Sequence, residues 1–77
     1  MYKIIKNKKL DYAIDYAIDY GESTIFLFEN DWNGEKYTNS TIFDENKKRY
    51  INIDKSFKPI YKKNNDDYFE LLGFLEV

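Results

Sequence analysis

The spacing of apolar residues changes character twice along the chain. Between Lys8 and Tyr20, the residues Leu10, Ala13, Ile14, Ala17 and Ile18 recur three and four apart and fall on one side of a helical wheel. Asn7 suits an N-cap and Gly21 a left-handed C-terminal residue, so the pattern predicts a helix over residues 8–20. After Gly21 the run "STIFLF" is short, β-branched and aromatic, which predicts a central strand. Asn33-Gly34 predicts a type I′ hairpin turn, because both of its central positions want positive φ. "KYTNSTIF" then reads as a second strand, "DENKK" as a turn and "RYINI" as a third strand. Lys58-Pro59 falls in a basic connector, extended but unsuited to the middle of a sheet. Asn65 is placed to cap a closing helix over "DDYFELLGFL", with Asp66 and Asp67 set against its dipole and Gly73 leaving its end undefined. The expected fold is α+β: an N-terminal helix, a three-stranded antiparallel β-meander and a C-terminal helix, with residues 1–77 as a single small α+β domain.

Within the first element lies "DYAIDYAIDYG", a four-residue unit repeated almost verbatim. On a helix it sets Asp11, Asp15 and Asp19 in a row, with Tyr12, Tyr16 and Tyr20 along one edge of the apolar face. Each like-charge pair costs ~0.2–0.5 kcal/mol, and an anion in the last turn ~0.3–1 kcal/mol more. Glu or Lys would serve the helix better. The plain explanation is a solvated face neutralised by the chain's own lysines. The functional explanation is that the row meets a cation from another molecule.

Charge sharpens the second explanation. The net charge of −2 over 77 residues conceals blocks: +4 over residues 1–10, −8 over 11–45, +6 over 46–63 and −4 over 64–77. Charge segregated in this way steers partners even when the total is near zero. Glu22, Glu29, Asp31 and Glu35 extend the acidic block past the repeat, and Trp32 stands among them either as a packed ring or as an exposed anchor. A ladder of carboxylates has the kind of charge spacing that a phosphate-gripping surface accepts. The expected contact surface is therefore Asp11, Asp15, Asp19, Tyr12, Tyr16, Tyr20, Glu22, Glu29, Asp31, Trp32 and Glu35. The expected partner is a basic nucleic-acid-handling protein, such as a host defence nuclease. In size, acidity and expected layout the chain resembles phage-encoded anti-defence inhibitors, anti-CRISPR and anti-restriction proteins among them. No motif carries that likeness. It implies an inhibitor that covers a nucleic-acid-binding surface.

Two other classes compete. "NKKRYINIDKSFKPIYKK" interleaves seven bases with Tyr50, Phe57 and Tyr61, which suits direct binding of nucleic acid by stacking beside a cationic track. A single arginine among eleven lysines weakens that reading, and lysines also protect exposed strand edges. Opposite charge blocks on one chain also suit self-association into a homodimer.

Enzymatic chemistry is not expected. With no histidine or cysteine, the commonest general base, thiol nucleophiles and most transition-metal sites are missing. Glu29, Asp31, Asn33 and Gly34 partly fit a calcium loop, but Ser40 stands where its closing Glu belongs. No catalytic residue, cofactor or metal is therefore expected. Asn39-Ser40-Thr41 is a formal glycosylation sequon. The basic start "MYKIIKNKKL" lacks an apolar stretch after it, and no run is long enough to span a bilayer. Together with the absence of cysteine and the Lys, Ile, Asn and Tyr usage of A/T-rich codons, this predicts the cytoplasm of a low-GC bacterial host.

Overall fold

The computed structural model describes residues 1–77 and is built almost entirely of strands. In chain order these are β1 (Ile14–Tyr20), β2 (Ser23–Phe28), β3 (Thr41–Asp44), β4 (Arg49–Asn52), β5 (Phe57–Lys63) and β6 (Phe69–Glu76), with one 3₁₀ turn at Glu29–Asp31. The first four form an antiparallel sheet in the order β1-β2-β3-β4, and β5 pairs with β6 in a second. The α+β expectation is thereby overturned: residues 8–20 and "DDYFELLGFL" hold no helix. Strands β2 and β4 lie within the segments read as extended, and β3 takes only the last three residues of "KYTNSTIF" and runs on to Asp44, the first residue read as turn. β1 enlarges that sheet and the ribbon of β5 and β6 replaces the closing helix.

The helical reading failed at β1 because that strand is covered on both sides. Ile18 points into the main core with Ile25, Leu27, Tyr37, Phe57 and Phe74. Ile14 and Ala17 pack with Phe26 on the opposite face, under Ile5 and Leu10. Burial on both faces produces consecutive apolar residues at 17 and 18, which mimic one side of a helix. A bulge adds to the confusion. Ile14 faces Phe28 and Tyr16 faces Leu27, so Asp15 is an extra residue that resets the alternation. Gly21 does adopt a left-handed conformation, φ 72°, but it turns β1 into β2.

Short bridges join the two sheets into one wrapped structure. The N-terminal segment runs between them, with Tyr2 bridged to Phe74 and Ile4 to Ile18, while Tyr37 bridges to Phe57 on the other side. Phe57 and Phe74 are fully buried at the centre. Each contributes about 1.5–3 kcal/mol of hydrophobic stabilisation, a large share of what so small a domain retains.

The Asn33-Gly34 turn differs from the expected two-residue hairpin. It lies within a longer excursion between β2 and β3, where Trp32 bridges Tyr37. Asn33 Oδ1 accepts hydrogen bonds from the backbone N–H groups of Glu35 (2.9 Å) and Lys36 (2.8 Å), and Gly34 alone takes positive φ there, 95°. Pro59 sits in β5 opposite Phe74, in a ribbon whose lone partner strand makes its missing N–H tolerable.

Candidate functional site

The three aspartates of the repeat do not form a row. On a strand, Asp15 and Asp19 stand about 13 Å apart along the axis instead of one helical turn. Each has a separate environment. Asp11 lies before β1 and accepts a 2.6 Å hydrogen bond from the Tyr50 hydroxyl through Oδ2. Asp15, at the bulge, accepts one of 2.7 Å from the Tyr37 hydroxyl. Asp19 is exposed, and only its backbone is tied down, its N–H donating to the Lys3 carbonyl oxygen at 2.8 Å. No lysine or arginine pairs with any of them: the chain's ion pairs are Lys48–Glu45, Lys55–Glu76 and Lys63–Asp67.

The tyrosines scatter likewise. Tyr12 projects from a turn and is 95 % exposed. Tyr20 packs on Tyr2, centroids 4.7 Å apart, and its hydroxyl donates to Glu76 Oε1 at 2.6 Å. Tyr16 leans into the core edge, 5.3 Å from Phe74 and 6.3 Å from Tyr37. Its phenol is pushed above the usual range by burial first, then by the neighbouring Tyr61 and Asp15.

Two concavities take in residues of the expected surface. The larger, about 570 Å³, lies on the outer face of the four-stranded sheet and is lined by Lys8, Lys9, Asp11, Phe26, Phe43 and Tyr50 among others. The Lys8 ammonium stands 5.3 Å over the Phe26 ring, and Tyr50 packs edge-on against Phe26, Phe28 and Phe43. This groove already holds its own cations and anions. Glu22, at the β1–β2 turn, also belongs to it.

The smaller, about 250 Å³, lies at the bulged end of β1 and is lined by Asp15, Tyr16, Trp32, Tyr37, Pro59 and Tyr61. Trp32 is partly packed and partly exposed. Its ring packs against Tyr37 with centroids 4.9 Å apart and planes tilted by 50°, yet 40 % of the residue stays exposed. Burial and the hydrogen bond to Asp15 push the Tyr37 phenol far above its usual range, so it remains a proton donor. Glu29 and Asp31 lie in the 3₁₀ turn that leads into Trp32, and Glu35 in the Asn33 turn that follows it; none of them lines the notch and none makes an ion pair. The sequence-derived surface thus divides: Asp15, Tyr16 and Trp32 line one notch, Glu29, Asp31 and Glu35 lie in the turns on either side of Trp32 along the chain, Asp11 and Glu22 line the outer groove, and Tyr12, Asp19 and Tyr20 line neither.

Sequence reasoning missed Tyr37 and Pro59 at this site and assigned Tyr61 to base stacking. A faint signal was present in the 19 % aromatic content, more rings than so small a core can hide. The stacking track itself does not form, since Phe57 is fully buried and Tyr50 is committed to Asp11 and the outer groove. At the formal calcium loop, Asn33 Oδ1 is turned inward onto backbone N–H groups. At the sequon, Asn39 Oδ1 is buried and Ser40 is fully buried with its hydroxyl donating to the Lys55 carbonyl oxygen at 2.7 Å, unlike an open surface acceptor. No helix is long and apolar enough to cross a membrane. No protein-family model, curated protein or solved structure matched the chain on comparison.

Proposed function

We propose that the protein is a non-enzymatic binding domain that docks on a basic protein surface through the end of the sheet carrying Asp15, Glu29, Asp31, Trp32 and Glu35. The observation that carries this is that Asp15 lines a notch with the half-exposed Trp32, while Glu29, Asp31 and Glu35 lie within three residues of Trp32 along the chain, and none of the four carboxylates is ion-paired. An excess of acidic side chains, with Lys36 the one cation in the turn, beside a rigid aromatic is the composition of a recognition surface, where steering comes from the charges and anchoring from the ring. An inhibitor that covers a nucleic-acid-binding surface of a defence protein needs such a patch. It does not need the helical ladder, which the fold removes.

The test is binding of a fluorescent Arg/Lys-rich peptide and of single- and double-stranded oligonucleotides, followed by anisotropy at low and high salt. The expected result is saturable peptide binding that weakens with salt, and no oligonucleotide binding. The triple variant Glu29→Gln, Asp31→Asn, Glu35→Gln should lose most of the peptide affinity. Oligonucleotide binding at comparable strength, or peptide binding indifferent to the triple variant, overturns the reading.

A further inference from the structure

The geometry points to a socket for one arginine side chain of a protein partner, formed by Asp15, Tyr16, Trp32, Tyr37, Pro59 and Tyr61. This deepens the docking reading above and rests on it for the source of the arginine. The lining is unusual in being aromatic on several sides and anionic at one point, with no lysine or arginine among its residues. Tyr37 is the fixed wall: it is 4 % exposed, stands edge-on to Tyr16 and carries the tilted Trp32 ring. Tyr61 is 52 % exposed and forms the open side on β5. Asp15 is held by a single bond, from the Tyr37 hydroxyl to Oδ2, which leaves Oδ1 free of any protein donor.

A cation is the complement of such a lining, because ring faces present negative potential and the carboxylate adds a full charge. Guanidinium fits better than ammonium. It is planar, weakly hydrated and able to stack on rings while its N–H fork meets a carboxylate, whereas a lysine ammonium would surrender a tighter hydration shell. Volume agrees. At about 250 Å³ the notch falls below the roughly 300–1,000 Å³ of small-molecule pockets and suits one side-chain head group. The occupant must come from outside, since the only arginine of the chain, Arg49, lies in β4 at the opposite edge of the four-stranded sheet from β1 and does not line the notch.

The bulge explains how the site is made. An ordinary strand would alternate Asp15 away from Tyr16, whereas the extra residue lets both line the same notch.

The test titrates the intact protein with Nα-acetyl-arginine amide, its neutral isostere Nα-acetyl-citrulline amide, Nα-acetyl-lysine amide and tetramethylammonium, reading the emission of Trp32, the only tryptophan. The arginine probe should give a saturable shift, and the citrulline probe should bind at least about tenfold more weakly. Asp15→Asn keeps an oxygen for the Tyr37 hydroxyl and so retains the wall while removing the charge; it should lose about tenfold in arginine affinity. Asp19→Asn should change nothing. Equal binding of arginine and citrulline, an unresponsive Asp15→Asn, or tighter binding of lysine amide or tetramethylammonium than of arginine overturns the assignment. The two proposals fail separately. Arginine binding that depends on Asp15 upholds the socket even where the basic peptide is not bound, and peptide binding that ignores Asp15→Asn removes the socket alone.

Discussion

The hydroxyl of Tyr37, a residue 4 % exposed, donates a 2.7 Å hydrogen bond to Asp15, the extra residue of the β1 bulge. One end of the bond is anchored in the core and the other lies at the surface, so packing between the two sheets fixes the direction of an exposed carboxylate. Tyr37 achieves this because its backbone is clamped as well. Its N–H donates to the Phe57 carbonyl oxygen at 2.8 Å and its own carbonyl oxygen accepts from the Phe57 N–H at 2.9 Å.

Replacing Tyr37 with Phe keeps the ring and deletes the donor. A hydrogen bond to a charged acceptor in a partly buried place contributes about 1–2 kcal/mol, so Tyr37→Phe should lower the unfolding free energy by that amount in urea titration. Arginine probes should also bind less tightly, because Asp15 would rotate freely. Unchanged stability together with unchanged probe binding would show that the bond orients nothing.

Gly73 sets the second expectation. A Cβ at this position would meet the Tyr2 carbonyl oxygen in sub-van der Waals contact and lie 3.0 Å from Met1 Cγ. Glycine is therefore what lets the N-terminal segment lie on β6, where Tyr2 and Phe74 exchange two backbone hydrogen bonds of 2.8 Å. Gly73→Ala should push that segment off and cost about 1–3 kcal/mol, with amide exchange rising first at Tyr2 and Phe74. Wild-type stability and protection in this variant would mean that the N-terminal bridge adds little.

The same glycine illustrates what was legible in the sequence. As a residue of "ELLGFL" it signalled only an uncertain helix end, because its role depends on Tyr2, some seventy residues away. Strands β2 and β4 were readable since β-branched and aromatic runs and the Asp44-Glu45-Asn46 turn carry local chemistry, whereas Asn33-Gly34 marked a turn but not the two-residue hairpin expected there. Asp44 Oδ1 indeed accepts from the N–H groups of Asn46 at 2.9 Å and Lys47 at 3.3 Å. β1 was not readable because a strand covered on both faces and reset by a bulge has the spacing of an amphipathic helix. At the site, Asp15 was singled out as one acid of the repeat, though in a helical row that the strand abolishes, and Trp32 as an aromatic set between acidic and turn residues. Tyr37 and Tyr61 join them only through pairings distant in sequence.

The Tyr20–Glu76 contact yields a pH dependence. Glu76 is held below the ordinary carboxylate range, chiefly by the 2.6 Å hydrogen bond from the Tyr20 hydroxyl and secondarily by Lys55, whose Nζ lies 3.3 Å from Oε2. A carboxyl whose folded pKa is depressed stabilises the fold above its unfolded pKa, and that contribution fades as pH falls toward the folded value. Stability should therefore drop through the acid side of the ordinary Glu range, about pH 4.3 and below. Tyr20→Phe removes the first-ranked cause and leaves Lys55 in place. Its stability deficit relative to the natural chain should be clear at neutral pH and shrink as acid protonates Glu76 in both proteins. The Glu76 carboxyl carbon, followed by NMR through an acid titration, should move its midpoint upward in the variant. A midpoint that stays put would assign the depression to Lys55, and Lys55→Met should then raise it instead.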